Sequence, residues 1–498
     1  MDTVNVKSFF RENRLAFLLT ACLTFLVRAG MMLRPTIGID TEALINGGTV
    51  FYDSWLISGR QGLVLLSFLT GNYQEFHMLF SGIGAMVFLW LAGIVWSYFF
   101  TLIIGKNHKG AVGFFIATLA VSAIFTEQMY FKLQAMQIFV AIFLTGVSLV
   151  CSYRFFVSAK TWWNPVLAVC LNLITFSTYQ AMVPLYIFGA AAGAFLYVCF
   201  REEKRQWSFV LHYAINFLFS FLINMVMTKL FFSEGAYLSE QALWGRQSVI
   251  QCLVGVAKHG YRVLSGYGTF YPTVLAVYFI MLAVFAVKCV QEHRNVLLVI
   301  ISGLMVLASP FLLSIVLGTT PVYRAQLVLP MTFAFLIFLS FYICAEKLQV
   351  LFFTILACFV LVTQGSYTII LNRLDAARFE QDARLAGEIC QEILTLTPSL
   401  DNVHVAVYGE KPFDTSDAVM MGETIGNSFF AWDTPAEPYG AGTTNRVTGF
   451  MKAIGYPVQA ANTEEITFGH ALLSEMPCWP ESGSVCLVGQ TVYIKLSN

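Results

Sequence analysis

Two carboxylates lie close together near the start of the chain, in the segment Gly38-Ile39-Asp40-Thr41-Glu42. They follow the first long apolar segment and are two positions apart, so in an extended loop both side chains would point to one side. A pair of carboxylates can provide a general base together with a group that orients a hydroxyl. We therefore take Asp40 and Glu42 as candidate catalytic residues, the alternative being that they only cap or solvate a loop.

Arginines follow this acid pair at several points in the chain. Arg60 comes shortly after it, Arg246 lies in a mixed loop predicted from Ser233 to about Gly268, and Arg324 lies in a later loop. Sugar transfer from an activated phosphate requires a base near the acceptor hydroxyl and positive charge at the departing phosphate. A guanidinium suits the second task because its N–H groups form a fork that matches phosphate. These three arginines are therefore candidate substrate ligands.

Four further residues could line a substrate pocket. Asp53 and Trp55 lie between the acid pair and Arg60, and Tyr179 and Gln180 occupy a tight turn between two apolar segments. An aromatic ring can stack on a sugar, but tryptophan and tyrosine are also common anchors at a membrane interface. We predict that these four residues contact substrate, with the anchor role as the alternative for the two aromatic ones.

The acid pair also raises the question of a metal. Two carboxylates can hold Mg²⁺ or Mn²⁺ through their oxygens, so a divalent cation is an alternative to a metal-free site. The chain has no Walker-type loop, no Rossmann glycine pattern and no His/Cys cluster with zinc spacing. The absence of these patterns gives no reason to expect a cofactor, but it does not decide whether the acid pair binds a divalent cation.

The composition is that of a membrane protein. Hydrophobic residues make up 57% of the 498 residues and charged residues 12%, whereas soluble proteins average about 25% charged residues. The formal net charge is zero, which argues against a nucleic-acid partner. The sequence therefore predicts a polytopic α-helical protein whose main surroundings are the lipid bilayer.

Apolar segments that could cross the bilayer number about eleven, since a span needs roughly 20 mostly apolar residues. The third is predicted from Ala111 to Phe125 and the last from Val350 to Ile370. The segment from Gln61 to Thr70 is apolar but too short to cross, and we predict that it lies along the membrane surface or dips into it.

Basic residues in the short loops predict the orientation of these spans. Lys and Arg gather in the N-terminal arm and in alternate loops: Lys7, Arg11, Arg14, Lys106, Lys109, Arg154, Lys160, Arg201, Lys204, Arg205, Lys288, Arg294 and Lys347. That side is predicted to be the cytoplasm. With an odd number of spans, the N-terminus lies inside, and the C-terminal tail lies outside with Asp40, Tyr179, Arg246 and Arg324.

The chain changes character near Asn372. A charged, helix-like run from Arg373 to Leu396 is followed by β-type runs at Val403–Tyr408 and Val485–Leu496. About 125 residues are enough for a small domain with its own core. The sequence thus predicts a membrane domain over residues 1–371 and a small C-terminal α/β extracytoplasmic domain over residues 372–498.

Two cysteines of this tail flank a short segment. Cys478 and Cys486 could pair on an oxidising outer face. Spacing alone does not provide the geometry that a disulfide needs, so the paired and the free state both remain open.

Three short motifs carry a resemblance to a known family. Ile39-Asp40-Thr41-Glu42, Trp55-Leu56-Ile57-Ser58-Gly59-Arg60 and Ser177-Thr178-Tyr179-Gln180-Ala181 resemble the bacterial type II glucosyltransferases, which are related to the serotype-converting O-antigen glucosyltransferases. Many members carry two adjacent acidic residues, whereas Thr41 separates the two acids here. Which of Asp40 and Glu42 is the base is therefore left open.

The resemblance implies a fold, a donor and an acceptor. It implies the multi-span architecture called the C-type glycosyltransferase fold, in the bacterial plasma membrane. It also implies a polyprenyl-phosphate-linked sugar as donor, a cell-envelope glycan on the outer face as acceptor, and inversion at the sugar carbon if the donor is β-linked and the product α. An acidic residue of the first outer loop would serve catalysis, which maps onto Asp40 and Glu42. The alternative function is a transporter or flippase of a lipid-linked glycan, which predicts mid-membrane charges and repeat symmetry that the sequence does not show.

Overall fold

The computed structural model describes residues 4–158, 162–201, 205–231, 241–266, 274–292, 294–414, 422–433 and 441–498. Most of them are helical, and one four-stranded sheet lies near the C-terminus. Eight of the described helices are long and apolar enough to cross a membrane, or nine when one bent pair counts as a single span. This helix content is that of a polytopic membrane protein.

The helices up to residue 396 are bounded as follows. They are α1 (Val6–Met32), α2 (Thr41–Gly47), α3 (Phe51–Ile57), α4 (Gln61–Leu69), α5 (Met78–Ile104), α6 (Lys109–Val121), α7 (Ala123–Tyr130), α8 (Lys132–Val157), α9 (Trp163–Phe176), α10 (Met182–Phe200), α11 (Gln206–Phe231), α12 (Val249–Ser265), α13 (Val274–Gln291), α14 (Val296–Ala308), α15 (Leu312–Leu317), α16 (Val328–Ile343) and α17 (Lys347–Leu396), with 3₁₀ turns at Gly48–Val50, Ser309–Phe311 and Tyr323–Ala325.

The predicted number of spans exceeds the number of long helices for an identifiable reason. Two apolar helices are short, with 14 residues in α9 and 16 in α16. At about 1.5 Å of rise per residue, neither reaches the roughly 30 Å of a hydrocarbon core. A total of about eleven is reached only if both short helices and the bent pair each count as a span.

The mixed loop predicted from Ser233 to about Gly268 contains a helix. Helix α12 begins after a capping box in which Ser248 and Gln251 bond each other's backbone, and it ends at Gly266, whose φ of 73° is left-handed. The sequence reading missed this capping signal. Residues 233–240 and 267–268 of the predicted loop lie outside the described residues.

The third predicted span is broken. Helices α6 and α7 meet at Ser122 with a bend of 46°. The buried Arg28 side chain donates from Nε to the Ala120 carbonyl at 2.9 Å and from Nη2 to the Ser122 carbonyl at 2.6 Å. Thr368 Oγ1 donates to the Val121 carbonyl at 2.8 Å, and Gln364 Oε1 accepts from the Ala123 N–H at 3.1 Å. These side chains supply partners for backbone groups that the break takes out of the helical ladder.

The chain divides into two compact units. Unit 1 comprises Met1–Leu33, Tyr52–Met129 and Gln134–Ile369, and unit 2 comprises Arg34–Phe51, Tyr130–Leu133 and Ile370–Asn498. The loop that carries Asp40 and Glu42 therefore belongs to the same unit as the C-terminal tail. Helix α17 contributes residues to both units, so the predicted domain limit at residue 371 falls inside a continuous helix.

Unit 2 contains the β-sheet. Its strands are β1 (His404–Tyr408), β2 (Gln459–Ala460), β3 (Val485–Val488) and β4 (Thr491–Lys495), in the spatial order β2-β1-β4-β3. Strand β1 runs parallel to β2 and β4 with His404 opposite Thr491, and β3 is antiparallel to β4. The side chains of Val405, Ala406 and Val407 are fully buried.

Unit 2 also contains α18 (Ala441–Ala453) and α19 (Thr463–Leu472), besides α2 and the C-terminal part of α17. The Thr444 hydroxyl of α18 accepts from the Val407 N–H at 2.9 Å and donates to the Val407 carbonyl at 3.2 Å, which ties α18 to β1. Cys478 and Cys486 are both free thiols in this structure.

Candidate active site

The acid loop does not have the extended form that the sequence reading assumed. Helix α2 begins at Thr41, so Glu42 lies in its first turn. Asp40 precedes the helix with a φ of 70° and a ψ of −16°, a left-handed conformation that costs a non-glycine residue roughly 1–2 kcal/mol. An aspartate at this position commonly caps the helix, but the Asp40 side chain makes no capping hydrogen bond. Its carboxylate is therefore available for another contact.

That contact is Arg446 of helix α18. Its Nη1 donates to Asp40 Oδ1 at 3.1 Å and also contacts Glu42 Oε1 closely, and its Nε donates to Asp433 Oδ2 at 2.6 Å. One guanidinium thus gathers three carboxylates. Asp40 and Glu42 meet because the arginine reaches both, rather than because an extended strand points them the same way.

The two acids of the loop differ strongly in exposure. The Asp40 side chain is 47% exposed, whereas that of Glu42 is 4% exposed. Glu42 Oε2 and the neighbouring Thr41 Oγ1 are buried without a hydrogen-bond partner among the described residues. Asp40 is therefore the accessible acid of the pair, and Glu42 is the buried one.

Burial also changes the protonation of this cluster. Desolvation raises the pKa of the Glu42 carboxyl to about 7, although the nearby Arg446 charge acts in the opposite direction. The carboxylates hold the pKa of Arg446 well above its ordinary value. The guanidinium therefore stays charged, while Glu42 exchanges a proton near neutral pH.

A second set of buried groups holds the residues before Asp40. Lys132 Nζ donates to the Arg34 and Thr36 carbonyls at 2.7 and 2.8 Å. Thr36 Oγ1 donates to Asp375 Oδ2 at 2.8 Å, and Arg378 Nη2 donates to the Ile37 carbonyl at 2.8 Å. These bonds restrain the loop on the N-terminal side of the acid pair.

Tyr130 completes this restraint. Its hydroxyl accepts from the Ile39 N–H at 3.2 Å. Gly38 packs so closely on Tyr130 that an added Cβ would lie 2.4 Å from the Tyr130 carbonyl oxygen. Only glycine fits at position 38 without a shift of the backbone.

Two of the predicted substrate residues meet in unit 1. The guanidinium carbon of Arg60 lies 5.7 Å from the centre of the Tyr179 ring, a cation–π contact. Gly62 at the start of α4 lets the chain next to Arg60 approach the end of α9, because an added Cβ there would lie 2.3 Å from the Ile174 carbonyl oxygen. Gln180 follows Tyr179 in the same turn and is half-buried.

The other predicted substrate residues of unit 1 are dispersed. Trp55 is buried, with its ring edge-on to Tyr52 at 5.2 Å between centroids, and Asp53 on the same helix is exposed. Arg246 is exposed in the segment before α12, and Arg324 is half-buried in the 3₁₀ turn Tyr323–Ala325. The packing of Trp55 accounts for its position without a sugar.

The described residues contain no group of three or more His, Cys, Asp or Glu side chains that could hold a metal. One oxygen of Asp40 and one of Glu42, which could otherwise bind a divalent cation, accept hydrogen bonds from Arg446. A cation there would have to displace a guanidinium or bind through the remaining oxygens.

The sequence reading missed Arg446 and Asp433. Both lie in the tail, about 400 residues after the acid pair, and no short motif surrounds them. The one available signal was chemical: a buried Glu42 beside Asp40 requires a counter-ion. Sequence alone does not say which of the many arginines supplies it.

Comparison with known proteins identifies the family. A family model described as Glucosyl transferase GtrII matches residues 30–341, more than half of the 498 residues. No curated protein and no solved structure matched the chain. The matched segment includes Asp40 and Glu42 and ends before Arg446, and it confirms the resemblance drawn from the short motifs. The chain belongs to the GtrII glucosyl transferase family.

Proposed function

We propose that this protein transfers a hexosyl unit, in particular glucosyl, from a polyprenyl-phosphate donor to a cell-envelope glycan at the outer face of the bacterial plasma membrane. Membership of a glucosyl transferase family and the many long apolar helices support this proposal. A lipid-linked donor keeps its chain in the bilayer and presents its sugar at the surface, so an enzyme for it needs both features.

The observation that carries the proposal is the state of Asp40. One of its oxygens accepts a hydrogen bond from Arg446, the other has no partner among the described residues, and the side chain is 47% exposed. A general base needs an accessible oxygen and a defined orientation. Asp40 has both, whereas Glu42 is buried, so we assign the base to Asp40.

The proposed reaction is a single displacement. The acceptor hydroxyl oxygen attacks the anomeric carbon of the donor sugar while its proton passes to Asp40. The bond between the anomeric carbon and the phosphate oxygen breaks, and its electron pair leaves with the polyprenyl phosphate. One displacement inverts the configuration at the sugar carbon.

The remaining residues are proposed to bind substrate. Glu42 is proposed to orient Asp40 through their shared guanidinium, because its buried side chain does not reach a sugar hydroxyl. Arg60 and Arg324, with Arg246, are proposed to bind the donor phosphate. Tyr179, Gln180, Trp55 and Asp53 are proposed to line the sugar pocket. The contact between Arg60 and Tyr179 supports a shared role for these two.

The membrane arrangement belongs to the same proposal. We propose a C-type glycosyltransferase architecture of about eleven spans, with the N-terminus in the cytoplasm and the C-terminal domain outside. The acid loop then faces the compartment in which envelope glycans are exposed. Cysteine accessibility labelling at Asp53→Cys from either side of the membrane tests this orientation.

Transfer itself is tested with the purified full-length chain in lipid vesicles. The vesicles receive polyprenyl phosphate carrying a labelled glucose, and an envelope glycan is added outside. Label that appears in the glycan, with release of polyprenyl phosphate, supports the proposal. Label that crosses the bilayer still attached to its lipid would instead identify a flippase.

A second experiment identifies the sugar and the acceptor, by mass analysis of envelope glycans from cells with and without the protein.

A further inference from the structure

The guanidinium of Arg446 is only partly bonded by the residues that the structure describes. Its Nε bonds Asp433, and its Nη1 bonds Asp40 and Glu42. Its Nη2 has no hydrogen-bond partner among the described residues, and the side chain is 15% exposed. An arginine that served only as a counter-ion for buried acids would be expected to direct all its donors inward.

The guanidinium is also held in a defined position. Asp433 accepts from Nε at 2.6 Å, on the edge opposite the contacts of Nη1. Helix α18 is tied to β1 through Thr444, one half-turn before Arg446, and Asn46 of α2 donates to the Gly449 carbonyl at 2.8 Å, one turn after it. A cation held this way keeps its free N–H groups aimed in one direction, which is the preorganisation that charge stabilisation in a reaction needs.

The free edge adjoins the base that we assign. Arg446 bonds Asp40 Oδ1 through its Nη1, and Nη2 belongs to the same guanidinium. The other oxygen, Asp40 Oδ2, has no partner among the described residues. An exposed hydrogen-bond acceptor and a charged donor without a partner among the described residues therefore belong to neighbouring side chains. In a displacement at a sugar carbon, the acceptor group takes the proton of the attacking hydroxyl and the donor meets the charge of the leaving group.

We propose that Arg446 is a further catalytic residue, whose Nη2 binds the phosphodiester of the lipid-linked donor and stabilises the polyprenyl phosphate monoester as it departs. This inference rests on the proposed transferase function. It also assigns part of the active site to the C-terminal tail, beyond residues 30–341 that match the family.

The carboxylates around Arg446 would repel an anionic ligand, but their negative charge is reduced in two ways. Burial raises the pKa of Glu42 to about 7, so one of the three acids around Arg446 is neutral in much of the protein near pH 7. The other two are more exposed, at 47% for Asp40 and 33% for Asp433, and water screens them better.

The test measures phosphate recognition without sugar transfer. Full-length protein in detergent is titrated with farnesyl phosphate and, separately, with farnesol, which has the same chain and no phosphate. Wild type is expected to bind farnesyl phosphate at least tenfold more tightly than farnesol. Equal affinity for the two ligands in wild type would overturn the proposal.

Four variants locate this preference. Arg446→Gln is expected to lose it, and Arg446→Lys to keep part of it, because a lysine keeps the charge but not the fork. Asp40→Asn removes a negative charge and should bind farnesyl phosphate at least as tightly as wild type. Lys452→Gln makes the same charge change on an exposed position of α18 and should have no effect. A phosphate preference that survives in Arg446→Gln, or is lost equally in Lys452→Gln, contradicts the assignment.

A second measurement does not depend on any variant folding. Phenylglyoxal modifies accessible arginines, and peptide mass mapping shows which ones react. Farnesyl phosphate, but not farnesol, is expected to protect Arg446 in the wild-type protein. Protection of Arg60 or Arg324 without protection of Arg446 would assign the phosphate to those arginines only and overturn the inference. Phosphate binding at Arg446 without sugar transfer would instead reject the proposed function, and with it the catalytic role of Arg446, and would leave only the phosphate contact.

Discussion

Unit 2 contains two arginine–carboxylate clusters that differ in how completely their carboxylates are bonded. Around Arg378, Asp375 bonds Arg378 with one oxygen and Thr36 with the other. Asp382 bonds Ser428 with one oxygen, and Arg378 and the Phe429 N–H with the other. Around Arg446, each of the three carboxylates has only one bonded oxygen among the described residues.

The difference extends to burial. The Arg378 and Asp382 side chains are fully buried and that of Asp375 is 3% exposed. Aromatic rings of Tyr130 and Phe429 cover the guanidinium at 5.8 and 5.4 Å. A closed cluster of this kind stabilises one conformation, whereas the cluster around Arg446 leaves carboxylate oxygens and an arginine donor without partners among the described residues. Arg378 restrains the segment before Asp40, and Arg446 is the arginine that we propose to contact substrate.

The largest loss of stability should follow from removing the arginine of the buried Arg378 cluster. Arg378→Gln leaves two buried aspartates without their cation, which typically costs about 3–5 kcal/mol. We expect a large fall in the apparent Tm of the detergent-solubilised protein and a low yield. Arg384→Gln, at an exposed position of the same helix, is the matched control and should behave like wild type. Equal stability of the two variants would show that the Arg378 cluster does not hold the fold.

A smaller, pH-dependent effect should follow from Glu42→Gln. Burial raises the pKa of Glu42 from 4.5 to about 7, so the folded protein retains a proton that the unfolded chain loses. The stability that this provides is complete below about pH 4.5 and is lost as the pH rises through 7. Between pH 5 and pH 8, wild type should lose roughly 2–3 kcal/mol relative to Glu42→Gln, which does not titrate.

Thermal unfolding across that pH range checks this prediction. Glu464→Gln, an exposed acid in the first turn of α19, is the control and should keep the wild-type slope. Parallel pH profiles for wild type and Glu42→Gln would mean that Glu42 is ionised throughout the range.

The smallest effect should come from Thr36→Val, which removes the two hydrogen bonds of the Thr36 hydroxyl: the one that it donates to Asp375 and the one that it accepts from Lys132 Nζ at 2.9 Å. Their loss is expected to cost about 1–2 kcal/mol, because Asp375 keeps its bond to Arg378 and Lys132 keeps the Arg34 and Thr36 carbonyls. We expect a small fall in Tm and a larger fall in kcat than in KM, since the residues before Asp40 become less restrained. Thr467→Val on the exposed face of α19 is the control. A change in KM alone would assign Thr36 to binding.

The features that could be predicted from the sequence are those set by local patterns of residues. The apolar runs predicted a membrane protein because burial in lipid demands long apolar helices, and the motifs around Asp40 and Arg60 predicted the family. The helix of α12 and the break at Ser122 were missed, since capping and side chains such as Arg28 override the apolar pattern. The partner of Asp40 was missed because the contact with Arg446 spans 406 positions.

The central claim is that the accessible Asp40 carboxylate acts as the base in sugar transfer, and Asp40→Asn tests it most directly. Wild type and variant are reconstituted in vesicles with labelled polyprenyl-phosphate glucose and an envelope glycan, at matched amount and apparent Tm. Loss of a general base predicts a fall in kcat of about 10²–10⁴-fold with farnesyl phosphate binding retained. Transfer by Asp40→Asn at the wild-type rate would contradict the account.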